Sequence, residues 1–258
     1  MLNIDHYAYT NGLKDVHPIE KVSFTFIYLF FSIITKNIWI TGLTFIIMTL
    51  SVVLAAKIPF RQFVKLLLLP SLFLLTSIIS ILFSIAPIDT NNLEPLWKLE
   101  IGVWQFYISS RSANQAIHLF ATVLASISSL YFLILTTPLH QLMWVLQKVK
   151  LPTLFIELVG LTYRFIFVLF DKMSEIHLAQ SSRLGYQNYK TWFSSIAQLT
   201  VSLFIKSIQS SRELQYSIDS RGGDDGLYEV DMRLKYNRLN IVAIVVSMVV
   251  LFIIMIFT

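Results

Sequence analysis

The chain has 258 residues, of which 55% are hydrophobic and 14% charged, and its mean hydropathy is +0.68. Soluble domains carry roughly 25% charged residues, so this composition fits one integral membrane domain of several helices and leaves no length for a soluble enzyme domain beside it. The net charge of +5 reads as loop bias rather than a nucleic-acid footprint, and the lack of cysteine excludes disulfides, a thiolate nucleophile and a cysteine metal site.

In chain order, the polar segment 1–16 has no apolar run followed by a small-residue cleavage site, so no removable signal peptide is expected. A membrane span needs about 20 mostly apolar residues. Five stretches are candidates, 22–35, 38–56, 66–86, 113–136 and 239–257, the first of them short, and short or tilted segments widen the range to four to six. The link from Lys57 to Lys65 carries Lys57, Arg61 and Lys65 and no acid. Cytoplasmic loops collect Lys and Arg, so this link is placed inside. The N-terminus and 137–238 are then cytoplasmic, and 87–112 and the C-terminal Thr258 lie outside. The expected organisation is a four-span membrane domain over 1–136, a cytoplasmic helical region over 137–238, and a transmembrane helix over 239–258. The fold class is an all-α multi-pass protein of the cell inner or plasma membrane.

The 87–112 loop holds Trp97, Trp104, Phe106 and Tyr107, aromatics suited to the headgroup layer, and an interfacial helix is expected there. In the fourth span Ala121, Ala125 and Ser129 recur every four residues, with Ser128 beside them. Small residues at that spacing let another helix approach closely. The stripe reads either as an intrachain contact or as a packing face for a second membrane protein.

Two long stretches then share one design. The first is apolar over 154–170, turns polar over 171–180, and closes at Ser181, Ser182, Arg183, Leu184 and Gly185. The second is apolar over 192–205, polar over 206–219, and closes at Ser220, Arg221 and Gly222. As a helix, 154–185 would be about 48 Å long at ~1.5 Å per residue, longer than a ~30 Å hydrocarbon core. An oblique amphipathic helix keeps Glu157, Arg164, Asp171, Lys172 and Glu175 out of deep lipid. A shorter amphipathic helix is expected over 138–150, with Leu139, Leu142, Met143 and Leu146 on one face. Each Arg tip is explained alone by the preference of helix ends for cations and a left-handed Gly cap. Two matching tips 38 residues apart point instead to a shared docking role, because the guanidinium fork suits a partner's carboxylates and carbonyls.

These residues carry a resemblance. Ile4 to Tyr9 with His17, Pro18 and Lys21, then Tyr163, Arg164 and Phe165 with 179–183, then 217–222, are together similar to the transmembrane T component of energy-coupling factor transporters, in its cobalt-type CbiQ branch. Both tips have Ser where the family usually has Ala, and Leu184 stands where Gly is commoner. The resemblance implies two long cytoplasmic coupling helices seated on two ABC-type ATPase subunits through Ser182, Arg183, Leu184, Ser220, Arg221 and Gly222. It also implies a substrate-binding membrane subunit of the CbiM type, a small accessory membrane subunit in some complexes, and cobalt or nickel as the imported ion. ATP would bind the partner subunits and no cofactor this chain, which would be no enzyme. The residues agree on one point, since no GxxxxGK[ST] phosphate loop is present.

Metal and catalytic readings are weaker. The five histidines, His6, His17, His118, His140 and His177, include no i, i+4 pair, and no acidic cluster lies in a span. An importer T component for another micronutrient or vitamin, a secondary permease and an intramembrane transferase stay open, but the spans show no internal repeat of the kind permeases use.

Overall fold

The structure, a computed structural model, describes residues 3–35, 37–87, 95–101, 104–220, 222, 234 and 236–257. Its helices are α1 (Asn3–Thr10), α2 (Pro18–Thr35), α3 (Ile38–Leu50, continued by a π-helical turn over Ser51–Ala55), α4 (Phe60–Leu82), α5 (Ser110–Thr136), α6 (Leu139–Lys148), α7 (Thr153–Ser182), α8 (Tyr189–Asp219) and α9 (Arg238–Phe257). Six of them, α2, α3 with its π turn, α4, α5, α7 and α9, are long and apolar enough to cross a membrane. The protein is therefore an all-α integral membrane protein, with one candidate span more than the five expected stretches. The sixth candidate is α7, whose apolar first half alone raises its hydropathy.

The chain divides into two units. One comprises Leu2–Leu139 with Arg233–Thr258, the other His140–Met232. In the first unit α5 is the hub, packing against α1, α2, α3 and α4, while α9 packs on α2 and α3. The core gathers Tyr28, Ile40, Met48, Phe63, Phe132 and Leu251. Hydrocarbon offers helices no hydrophobic reason to associate, so close packing through small side chains has to supply it. Accordingly Ser32, Thr44, Ala125, Ser128 and Ser129 are fully buried. Ser128 and Ser129 return their hydroxyl protons to the Ala125 carbonyl at 2.9 and 2.8 Å, which removes the polar cost. This bears on the two readings of the stripe: Ala125 and Ser129 are closed inside the unit by neighbouring helices, and only Ala121 stays half-buried. The stripe is an intrachain contact rather than a packing face for a partner.

Pro70 lies inside α4. Without an N–H it cannot bond the Leu66 carbonyl four residues back, and in lipid no water would replace that bond. The Tyr131 hydroxyl of α5 donates to the Leu66 oxygen at 3.0 Å and closes the gap. The loop before α2 is tied down by another close contact. The Gly12 N–H donates to the Ala56 carbonyl at 3.0 Å, and a Cβ on Gly12 would stand 2.6 Å from the Ala55 oxygen. Only glycine lets the loop lie on the end of α3 this way.

Among the described residues between α4 and α5 there is no helix of the expected interfacial kind. The chain forms β1 (Ser84–Pro87), β2 (Pro95–Ile101) and β3 (Trp104–Ser109), an antiparallel sheet in the order β1-β3-β2. Ile101 pairs with Trp104 and Leu99 with Phe106. The reason is visible in Trp97-Lys98-Leu99-Glu100-Ile101, where apolar and charged residues alternate with period two. Aromatics and β-branched residues favour such a pleated surface.

Tyr131→Phe should lower the unfolding free energy of the detergent-solubilised protein by about 1–3 kcal/mol, the cost of orphaning a half-buried carbonyl. In a Pro70→Ala background the restored N–H takes up Leu66, and Tyr131→Phe should become nearly neutral. Equal losses in both backgrounds, measured by thermal unfolding, would show that the hydroxyl does not serve the proline gap.

Candidate functional site

The first Arg tip belongs to the unit His140–Met232. α7 ends at Ser182 with Arg183 as its C-cap, and the Arg183 N–H bonds the Gln180 carbonyl at 3.1 Å. The Leu184 N–H reaches the Ser181 carbonyl at 3.0 Å and the Gly185 N–H the Gln180 carbonyl at 2.9 Å. That bond pair is a Schellman cap, in which the residue after the cap takes the left-handed conformation. Leu184 is that residue, with φ +61°. The left-handed position is therefore held by leucine, and the expectation that glycine caps this tip is corrected. Gly185 is needed for another reason: a Cβ there would meet Ser195 Oγ at 2.6 Å and the Gln180 carbonyl at 3.0 Å.

That close approach locks the hairpin between α7 and α8. Ser195 Oγ donates to the Gly185 carbonyl at 2.8 Å, and Gln180 Nε2 donates to the Ser195 carbonyl at 3.0 Å. The Tyr186 hydroxyl donates to Gln180 Oε1 at 2.6 Å, and its ring lies 4.6 Å from that of His177. The Asn188 N–H donates to Thr191 Oγ1 at 3.1 Å, capping the start of α8. Ser182 turns its hydroxyl back to the Leu178 carbonyl at 3.0 Å. Arg183 and Leu184 are exposed, and among the described residues the Arg183 side chain has no ion pair. The tip thus presents one cation and one apolar side chain from a backbone that is tied on all sides.

The second tip follows α8. Ser220 is its C-cap and donates its hydroxyl to the Ser217 carbonyl at 3.0 Å, and Gly222 sits at φ +97° in open space, as expected of a glycine stop. Arg221 lies outside the described residues.

The unit Leu2–Leu139 with Arg233–Thr258 holds a polar clasp that the periodicity of the sequence did not expose. Lys21, in the first turn of α2, is buried and donates Nζ to the Thr136 carbonyl at 2.9 Å and the Leu13 carbonyl at 3.3 Å. Asn11 Nδ2 donates to the Ala8 carbonyl at 2.6 Å and lies 3.4 Å from the Leu135 and Thr136 carbonyls. Glu20, next to Lys21, is buried as well. Its two oxygens accept the Asn237 N–H at 2.9 Å and the Asn240 amide at 2.8 Å. At the start of α9 this carboxylate takes the backbone N–H of the residue before the helix and a side-chain amide of its first turn, and it opposes the positive end of the helix dipole. His17 stacks on Tyr236 with ring centres 3.8 Å apart. Burial lowers the His17 pKa, with Glu20 opposing and Lys21 adding to the shift. The neutral ring so favoured accepts the Ile19 N–H at Nδ1, 3.3 Å away. The sequence signal was present as Glu20 and Lys21 side by side at the mouth of an apolar helix. Glu20, Lys21 and Asn240 also line a cavity of about 370 Å³, with Leu13, Val16, Phe24, Phe132 and Ile244 among its other walls.

Among the described residues no group of three or more His, Asp or Glu could hold a metal ion.

Comparison with known proteins follows the same lines. The sequence model of the CbiQ family, described as cobalt transport protein, matches residues 10–233. The chain is 32% identical over 219 residues to a putative fused cobalt transport protein CbiMQ of Methanocorpusculum labreanum, covering 84% of this chain and 36% of that longer one. It is 28% identical over 181 residues to the cobalt transport protein CbiQ of Salmonella typhimurium, covering 69% and 76% of the two chains. It is 27% identical over 253 residues to the energy-coupling factor transporter transmembrane protein EcfT of Lactococcus lactis subsp. cremoris, covering 93% and 90%.

Leu184→Gly should protect the hairpin by about 0.5–1 kcal/mol, since it relieves ~1–2 kcal/mol of left-handed strain and gives back part in chain entropy. Gly185→Ala should do the reverse by about 1–3 kcal/mol, because its methyl group displaces the Ser195 hydroxyl. Amide hydrogen exchange over 178–196 reads both. Slower exchange in Gly185→Ala would refute the lock.

Proposed function

The chain belongs to the CbiQ family of cobalt transport proteins, and from that premise we propose that it is the transmembrane T component of an energy-coupling factor importer for cobalt or nickel. In this reading it is not an enzyme and binds no cofactor. Two cytoplasmic ABC-type ATPases bind ATP, and a substrate-binding membrane subunit of the CbiM type carries the ion. The likeness to a fused CbiMQ supports a membrane partner, because that protein joins a related segment to a further one in a single chain. The likeness to EcfT supports the energy-coupling role over nearly the full length.

The observation that carries the reading is the Arg183 tip, an exposed cation on a hairpin locked by Gln180, Tyr186 and Ser195. ATPase closure moves a docked helix only if the docked end is rigid. Ser182, Arg183 and Leu184 form one docking tip, and Ser220, Arg221 and Gly222 the other. The clasp supports the transmission step. The chain passes between the two units near 139–140 and 232–233. Lys21 holds Thr136 just before the first passage, and Glu20 holds Asn237 and Asn240 just after the second. A second reading, a T component serving another micronutrient, is favoured by the EcfT relative, whose name specifies no ion.

Co-expression with the ATPase and membrane-subunit genes tests the proposal. Wild-type protein should retain both ATPases through purification. Arg183→Glu and Arg221→Glu together should cut their recovery at least about 30-fold, since removing a charged anchor from a buried contact commonly costs ~2–5 kcal/mol. Wild-type recovery by the double variant ends the docking assignment.

The proposed orientation has 57–65 and 137–238 cytoplasmic and Thr258 outside, on the strength of Lys57, Arg61 and Lys65. Cysteine at Asn92 should react with an impermeant thiol reagent in intact cells, and cysteine at Asn188 only after lysis. The opposite pattern inverts the topology.

A further inference from the structure

With the small-residue stripe of α5 closed inside the unit, another face of the same helix stands open. Arg111, Asn114, Gln115, His118 and Thr122 line one groove of about 980 Å³ near the Ser110 end of α5. They recur at three-and-four spacing and so share one face. Ile33 of α2 and Ile81 of α4 form its walls. Arg111, Asn114, Gln115 and His118 are exposed, and among the described residues their side chains make no hydrogen bond. Among the described residues the lining contains no acid, and Arg111 is its one fixed charge.

The length of α5 decides where these groups lie. Its 27 residues extend about 40 Å at ~1.5 Å per residue, some 10 Å more than a hydrocarbon core. Even if all the excess projected from the Ser110 end, only about seven residues would leave the core, through 116. His118 and Thr122 would still stand in hydrocarbon, and tilting draws more of the helix in. Polar side chains at that depth are costly when they face lipid, and in membrane proteins they face a bundle interior or another helix. Asn, Gln and His there serve as interhelical hydrogen-bond donors.

We propose that this groove is the seat of a transmembrane segment of the partner membrane subunit, one that presents a carboxylate to Arg111 and acceptor groups to Asn114, Gln115 and His118. The sign of the charge sets the partner chemistry: the described lining residues, rich in donors with one cation and no acid among them, fit a carboxylate and repel a free metal cation. This inference rests on the T-component reading and names the surface by which the membrane subunit is held.

The complex co-expressed with its ATPase and membrane-subunit genes provides the test. A photo-reactive p-benzoylphenylalanine at Gln115 or His118 should cross-link to the membrane subunit in native membranes, whereas one at Leu69, exposed on α4, should not. Arg111→Gln should lower recovery of the membrane subunit about tenfold and leave ATPase recovery unchanged. Adducts to lipid alone, or no adduct at 115 and 118 while the membrane subunit still co-purifies, overturns the proposal. Loss of the ATPases from the wild-type preparation would instead count against the T-component reading, so the two failures are separable.

Discussion

The constraint on which the membrane unit depends is that lipid supplies neither hydrogen bonds to a stray carbonyl nor a hydrophobic force between helices. Each irregularity in the backbone must be answered by a side chain from a neighbour. Pro70 frees Leu66, and Tyr131 answers from α5. The end of α5 leaves Thr136 open, and Lys21 answers from α2. The Asn237 N–H at the entry to α9 is left open, and Glu20 answers from the same turn as Lys21. In each case the bond that repairs the backbone also joins two helices, so satisfaction and association are one event. This is why α5, rich in small residues and ringed by neighbours, becomes the hub.

That logic also explains what could be read from the chain and what could not. Spans were legible because hydropathy averages over many residues, and four of the five expected stretches were prolonged at their start by the folded helices, α4 by six residues. Pro70 was invisible in that average, since losing one N–H changes no hydropathy while creating a specific need that Tyr131, sixty-one residues later, fulfils. The outer aromatics were misread because Trp97 and Trp104 satisfy two patterns at once, headgroup preference and period-two alternation, and the alternation prevailed. The small-residue stripe was legible as a packing face but not as to its partner. Sequence spacing carries no information about which helix fills a groove, and here neighbouring helices of the same chain fill it.

The clasp was half legible. Asn11 gave no signal in its own neighbourhood, because its acceptors at 135 and 136 lie more than a hundred residues away. Glu20 and Lys21 could be noticed as charges at the mouth of a span, yet adjacent opposite charges on a helix point in different directions. The structure uses that divergence. One residue is committed to α5 and the next to α9, so two long-range attachments originate from a single turn of α2.

The hairpin makes a different use of local cost. Leucine at φ +61° is strained by about 1–2 kcal/mol relative to glycine, and backbone strain of this kind persists only where the surroundings over-determine it. Here the surroundings are the Schellman bonds behind it and the Ser195 contact at Gly185. Glycine at 184 would ease the backbone but remove the apolar side chain that stands exposed beside Arg183. In the proposed docking mode, stability and recognition therefore pull in opposite directions at this one position. An arginine flanked by an apolar group on a rigid platform has the make-up of an interface anchor, and a platform already ordered loses little entropy on binding. Under the docking proposal, the strain at Leu184 would be the trace of a contact that the isolated chain does not make.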